Sequence, residues 1–384
     1  MHSSLAQRQY IFFISIYFLA LPLGAMNLGS IGSALKLVSI FPIGLALINI
    51  KNIKFNKPFV YYLLYVLFST CSILWSVNEQ ASIHRVNRYW NLTLLLLSSC
   101  VFFFSTDDIL LIKKVLRWSS RLSGIVCLTF GTYYSGRLVL TGTIQEDPNY
   151  FCMYLSFGVI ACIGDITSDT SVMKKIIAAA EVLFYFTIAL LTGSRGGLIA
   201  LLLGSLLYLI LSGNKVFDAK KIIAVFALII AIYVGMTFLS DSLVDRFSVA
   251  SVIESKGTHR FEIWEEAFDL FGRSNILRKL FGYGIQGVTI AFANYGYSFA
   301  GYVMHNMFVE TLIELGVLGL ISYCIMVVSF CLHAVKMKDK FSFGVIIMMV
   351  IMSMSTSIST FKPYLNIMMF ILMSMNTRLD KTMR

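Results

Sequence analysis

Gly193-Ser194-Arg195-Gly196-Gly197 is the whole connection between two apolar runs, and it holds one arginine in a turn of small residues. Glycines on both sides permit close backbone approach, and a forked guanidinium matches phosphate oxygens. Arg195 reads either as a cation snorkelling to lipid phosphate or as a fixed cation for an anionic headgroup such as a lipid-linked diphosphate. Arg260 raises the same question in another setting. Residues 257–271 set Phe261, Trp264, Phe268 and Phe271 at helical spacing, with Glu262, Glu265, Glu266 and Asp269 between them. That is the pattern of an amphipathic helix lying at a membrane interface, its aromatic face toward lipid or protein. Free N–H groups at a helix start already favour an anion. An arginine there does little for the helix, so it reads as a ligand contact or a solvated charge.

His305-Asn306 leads into a long apolar run. A histidine at that position is either a structural donor or a general base, since imidazole titrates near neutral pH and can take a hydroxyl proton. Glu310 and Glu314 lie within the run and are expected to face the protein interior, where either one orients His305 or pairs with an arginine. Asp147-Pro148-Asn149 is first a turn with helix-capping chemistry, and a substrate hydroxyl contact is its functional alternative. Arg85, Arg88 and Arg137 read as lipid or substrate contacts. The candidate catalytic set is His305, Arg195 and Arg260. Ser194, Asp147, Asn149, Glu310, Arg85 and Arg88 are the candidate substrate contacts.

The elements that hold these residues must lie in a membrane. The chain has 384 residues, 58% hydrophobic and 13% charged. Soluble domains carry about 45–50% apolar and about 25% charged residues, so a water-soluble enzyme is excluded. Apolar runs recur along the chain, among them 58–76, 90–104, 119–134, 149–165, 174–193, 196–212, 221–240 and 306–333. At about 20 residues per crossing they predict an all-α polytopic protein with about twelve transmembrane helices in a single integral membrane domain, 1–384. Helices are expected because each satisfies its own backbone groups in hydrocarbon. The net charge is +11, and its placement matters more than its size. Lys51, Lys54 and Lys57, then Lys113, Lys114 and Arg117, then Lys215, Lys220 and Lys221, then Lys336, Lys338 and Lys340 fall in alternate short loops. The positive-inside rule makes that face, and with it both termini, cytoplasmic. The segment 241–305, with its interfacial helix, is then a long extracytoplasmic loop, and 77–89, 134–148 and the Arg195 turn share its side. The first run, from Tyr10 to about Ala25, lacks a small-residue cleavage site and reads as a retained span.

Two patterns are set aside. Gly282-Tyr283-Gly284-Ile285-Gln286-Gly287 has dinucleotide-loop spacing, but no strand or βαβ unit surrounds it. Its glycines are expected to shape the return of the long loop. Ser194 with His305 invites a protease reading, yet arginine follows the serine directly and no Gly-x-Ser-x-Gly is present. The seven cysteines form no Cys-x-x-Cys and stand at no metal-ligand spacing from histidine. No metal, no cofactor and no nucleic acid are expected.

Three stretches together carry a resemblance. They are Leu191-Thr192-Gly193-Ser194-Arg195-Gly196-Gly197, then Arg260 with Trp264 and Leu280-Phe281-Gly282-Tyr283-Gly284, then His305-Asn306 with Glu314-Leu315-Gly316-Val317-Leu318-Gly319. In order and spacing they resemble the O-antigen ligase and Wzy-type polysaccharide polymerase family of bacterial envelope glycan assembly, over about residues 145–320. The resemblance implies a GT-C-like, metal-independent, inverting glycosyltransferase of the bacterial cytoplasmic membrane. It implies an undecaprenyl-diphosphate-linked glycan as donor, with Arg195 and Arg260 on the diphosphate and His305 as base. Membrane lipid, a chain-length regulator and a flippase are the further partners. A polymerase passes the glycan to another lipid-linked repeat unit, a ligase to lipid A–core. The Asp147-Pro148-Asn149 turn and the modest outer loop favour the polymerase. A transporter or flippase of twelve helices stays open as a different class. Such proteins gather charged sites near the midplane and repeat between halves, whereas the distinctive residues here collect on one face, which favours an enzyme.

Overall fold

Helix starts in this chain are marked by short polar side chains that take the unpaired N–H groups of the first turn. Asn78 accepts from the Ala81 amide ahead of Glu79–Ser98, and Ser105 and Asp108 form a reciprocal capping box ahead of Thr106–Phe130. Ser171, Asp218 and Asn306 cap Val172–Leu191, Ala219–Met236 and Met307–Lys336. These caps correct one expectation. The runs 90–104 and 119–134 predict spans that begin where the apolar residues begin, yet the helices begin at Glu79 and Thr106. Segment 77–89, expected as a loop, is therefore mostly helix. Capping and helix propensity set where those helices start, while an apolar stripe (Val86 and Tyr89; Ile109, Ile112 and Leu116) buries one face of each polar half.

The computed structural model describes residues 5–24, 37–134, 136–139, 148–211, 218–248, 259–358 and 362–377. In chain order the helices are α1 (Leu5–Gly24), α2 (Ile40–Ile48), α3 (Lys57–Cys71), α4 (Glu79–Ser98) and α5 (Thr106–Phe130). A hairpin of β1 (Thr132–Tyr134) and β2 (Arg137–Val139) follows, pairing Tyr133 with Leu138. Then come α6 (Pro148–Thr167), α7 (Val172–Leu191), α8 (Arg195–Leu211), α9 (Ala219–Met236) and α10 (Asp241–Arg246). The remainder is α11 (Arg260–Arg273), α12 (Ile276–Phe281), α13 (Val288–Asn294), α14 (Met307–Lys336), α15 (Lys340–Ser353) and α16 (Lys362–Met375).

The architecture is that of an all-α membrane protein. The apolar runs predict twelve spans. Among the described residues, four helices are long and apolar enough to cross a membrane: Lys57–Trp75, Pro148–Thr167, Ala219–Met236 and Met307–Lys336. Leu5–Leu21, Arg195–Leu211 and Lys340–Ser353 are shorter apolar helices. α7 falls outside both groups because Lys174, Lys175 and Glu181 interrupt it. α6 is the buried centre, packed against α5, α7, α8 and α15. One continuous apolar core runs through the bundle, and a second, smaller one lies under the segment 259–305, where Ile263, Ala267, Leu270, Phe292 and Met304 pack on Val309 and Ile313 of α14.

Two details of that smaller body position the site. α11 is amphipathic, but its buried stripe is Ile263, Ala267 and Leu270. Trp264 and Phe271 pack against the small core from the side, and Phe261 and Phe268 stand exposed, so the four aromatics do not form the single face their spacing suggests. α14 breaks at Gly316, whose φ is 69°. The carbonyls released by the break would be costly in hydrocarbon. Here the Tyr283 amide donates to the Ile313 carbonyl at 3.0 Å and the Gly284 amide to the Glu314 carbonyl at 2.8 Å. The approach needs glycine on both sides. A Cβ on Gly282 would overlap the Glu314 backbone, and one on Gly316 would overlap the Leu280 backbone. The 282–287 glycines thus return the segment onto α14.

Candidate functional site

The Arg195 turn is held from three directions. Gly193 adopts φ 60°, which lets the chain reverse between α7 and α8 without a Cβ clash. Ser194 Oγ accepts from the Gly197 amide at 3.0 Å, an N-cap bond, and donates to Asn149 Oδ1 at 2.6 Å. The same Asn149 oxygen accepts from the Gly197 amide at 3.1 Å. The Ser194 hydroxyl is thereby directed at α6 rather than at a base. Arg137 Nε donates to the Thr192 carbonyl at 3.0 Å, Arg246 Nε to the Gly193 carbonyl at 2.9 Å, and Arg195 Nε to the Arg246 carbonyl at 2.7 Å.

The histidine is set by the neighbouring body. Trp264 Nε1 donates to the Met304 carbonyl at 2.8 Å, and Met304 is fully buried. Asn306 Oδ1 accepts from the Phe308 and Val309 amides at 3.0 and 3.3 Å, starting α14. Between these anchors His305 takes φ 48°, the left-handed region. A non-glycine residue persists there only when its surroundings over-determine it, and such strain clusters at functional sites. Arg260 is the first residue of α11, one turn from Trp264.

These pieces meet around one cavity of about 960 Å³. Arg137, Arg195, Arg246, Arg260 and His305 line it, with Ser194 and Asn149 in the wall, and Leu198, Ile199, Leu203, Ile232 and Met236 of α8 and α9 form an apolar flank. Among the described residues that line it there is no carboxylate. Burial, and after it repulsion from Arg137, Arg195 and Arg260, pull the Arg246 guanidinium down to about 10. It stays protonated at neutral pH, in a field of like charge. The arrangement suits a ligand with an anionic head and an apolar tail, with a nitrogen base beside the head.

Other expected contacts lie elsewhere. Glu310 and Glu314 are both buried inside α14, away from the cavity lining. Ser357 Oγ donates to Glu310 Oε2, and Gln286 Nε2 reaches Glu314 Oε1 at 3.5 Å. Arg85, half-buried on α4, faces both carboxylates together with Tyr89 and Tyr150. Arg88 is exposed. Asp147 lies outside the described residues. The residue that sequence reasoning passed over is Arg246. It sits among Asp241 and Asp245 in a short charged segment and carries no motif. Only its position in the segment expected to be a long loop marked it. Among the described residues no three His, Cys, Asp or Glu side chains gather as a metal-ligand set.

Residues 180–324 match the family model described as O-antigen ligase. A search of curated proteins finds no match. The matched stretch contains Arg195, Arg246, Arg260 and His305, while Arg137 and Asn149 enter the cavity from outside it. The resemblance read from the sequence is borne out over this stretch.

Proposed function

We propose, from the match of residues 180–324 to the family model described as O-antigen ligase, that the protein is an envelope polysaccharide polymerase. It transfers a glycan from undecaprenyl diphosphate to a lipid-linked repeat unit at the outer face of the cytoplasmic membrane. In this reading twelve helices leave both termini inside, and 241–305 faces outward. A chain-length regulator and a flippase belong to the same reading. The observation that carries it is the meeting of Arg195, Arg260 and His305, from three separate segments, on the lining of one cavity.

The chemistry follows from charge. His305 takes the proton of the acceptor hydroxyl as its oxygen attacks the anomeric carbon. The anomeric C–O bond breaks on the opposite face, inverting the configuration, and its electron pair leaves with the lipid diphosphate. Preorganised cations stabilise that developing charge, and here they are Arg195 and Arg260 rather than a divalent metal. The apolar flank of α8 and α9 accommodates the first part of the polyprenyl chain. A ligase would use the same steps with lipid A–core as acceptor.

The test uses purified protein in nanodiscs with lipid-linked repeat units. His305→Gln keeps hydrogen-bonding capacity but cannot serve as a base, and is expected to bind donor while losing turnover about 10²–10⁴-fold. Normal turnover in this variant ends the assignment of the base. Offered both acceptors, the parent enzyme is expected to build a ladder of repeat units; transfer to lipid A–core alone identifies a ligase. Reporter fusions after Lys340 and near Gly296 should read inside and outside respectively.

A further inference from the structure

Arg195 and Arg246 clasp each other. Arg195 Nε donates to the Arg246 carbonyl at 2.7 Å, while Arg246 Nε donates to the Gly193 carbonyl, two residues before Arg195, at 2.9 Å. The reciprocal bonds fix two guanidinium groups on one wall of the cavity. A guanidinium has five N–H donors. Arg246 uses one on Gly193, and among the described residues its two Nη nitrogens bond to nothing else. Its side chain is half-buried, and it lines the cavity together with Arg195 and Arg260. A partly buried guanidinium whose Nη groups lack acceptors gains when a ligand oxygen reaches them. Burial and the neighbouring arginines already pull Arg246 below the usual arginine range.

Resting on the reading above, we propose that Arg246 is a third phosphate-binding residue, matched to the charge that appears as the lipid diphosphate departs. A diphosphate esterified at both ends carries two negative charges. Once the anomeric C–O bond has broken and its electron pair has gone to the phosphate oxygen, the diphosphate has one free end and carries a third. The proton lost by the acceptor hydroxyl is on His305, and the new glycosidic bond joins the acceptor oxygen to the anomeric carbon. Two guanidinium groups suffice for the bound donor. A third, held by the clasp, stabilises the departing group more than the donor. Interactions of that kind raise turnover rather than ground-state affinity.

Arg246→Gln separates charge from scaffold, because its amide can still donate to the Gly193 carbonyl. In nanodiscs this variant is expected to lose turnover about 10²-fold and to bind free undecaprenyl diphosphate at least about tenfold more weakly, with the donor KM changed by less than about threefold. Arg246→Lys should recover part of both losses, since charge returns without the fork. Turnover of Arg246→Gln close to the parent, or equal losses of donor and product affinity, overturns the assignment. Arg195→Ala and Arg260→Ala run alongside. If they lose turnover and Arg246→Gln does not, the third phosphate contact falls and the polymerase reading stands. If none of the three loses turnover, the diphosphate site itself falls.

Discussion

Two arginine clusters among the described residues are built on opposite principles. On α5, Arg117 meets Asp165 at 2.6 Å and Glu181 at 3.1 Å, while Arg121 meets Glu181 at 2.6 Å. Tyr185 adds a hydroxyl to Glu181 at 3.3 Å. Here two cations face two carboxylates, and the network ties α5 to α6 and α7. Around the cavity, Arg137, Arg195 and Arg246 instead lean through Nε on backbone carbonyls, and no carboxylate stands in the described lining. A carbonyl orients a guanidinium without cancelling its charge. The first cluster is complete in itself and serves packing. In the proposed function the second serves a ligand, its guanidinium groups oriented by backbone carbonyls on the cavity wall.

This contrast can be broken experimentally. Arg195→Ala and Arg260→Ala should each lower turnover about 10²–10³-fold, while the thermal unfolding midpoint of the purified protein stays near that of the parent. A large fall in that midpoint would put the cavity arginines in the same class as Arg117 and Arg121. Ser355 lines the cavity, so Ser355→Asp imports into it a carboxylate of the kind that the Arg117–Arg121 cluster possesses. Juxtaposed like charges cost several kcal/mol, and donor affinity should fall about 10²-fold while stability holds or rises. Unchanged affinity would mean that the anion sits elsewhere.

The converse change is Arg117→Met, which leaves Asp165 and Glu181 short of a partner in a half-buried setting. Stability should fall by about 1–3 kcal/mol, read in thermal unfolding, with turnover per folded molecule retained. Equal loss of turnover would give the Arg117–Arg121 cluster a direct part in the reaction. The smallest effect is expected from Trp264→Phe, which keeps the ring and removes the donor to the Met304 carbonyl. Such a bond is worth about 0.5–1.5 kcal/mol, so turnover should fall several-fold with the donor KM unchanged. A rise in KM alone would make Trp264 a substrate contact instead of a support for His305.

Much of this was legible in the residues. The Gly193–Gly197 turn announces an arginine held between two helices because two apolar runs leave it nowhere else to go, and His305-Asn306 announces a helix start that carries an imidazole. Arg195, Arg260 and His305 could all be picked out one by one. The resemblance grouped them as one site, but Arg246 beside them on the cavity wall was not legible. Glu310 and Glu314 read as orienting His305 or pairing with an arginine; they face Arg85 and bond Ser357 and Gln286, in line with the second alternative. Side chains one turn apart on a helix share a face, but sequence does not say what that face meets.

The chain alone determines the membrane setting, the helical class and the chemistry available to each segment, because hydrophobic run length and turn glycines act over a few residues. Only the tertiary structure decides that Arg246 clasps Arg195, that Trp264 supports the carbonyl before His305, and that the broken helix at Gly316 carries the 282–287 loop. Those contacts join residues 30 or more positions apart. They depend on how helices pack and on which backbone groups need partners, quantities that no local pattern of residue types encodes.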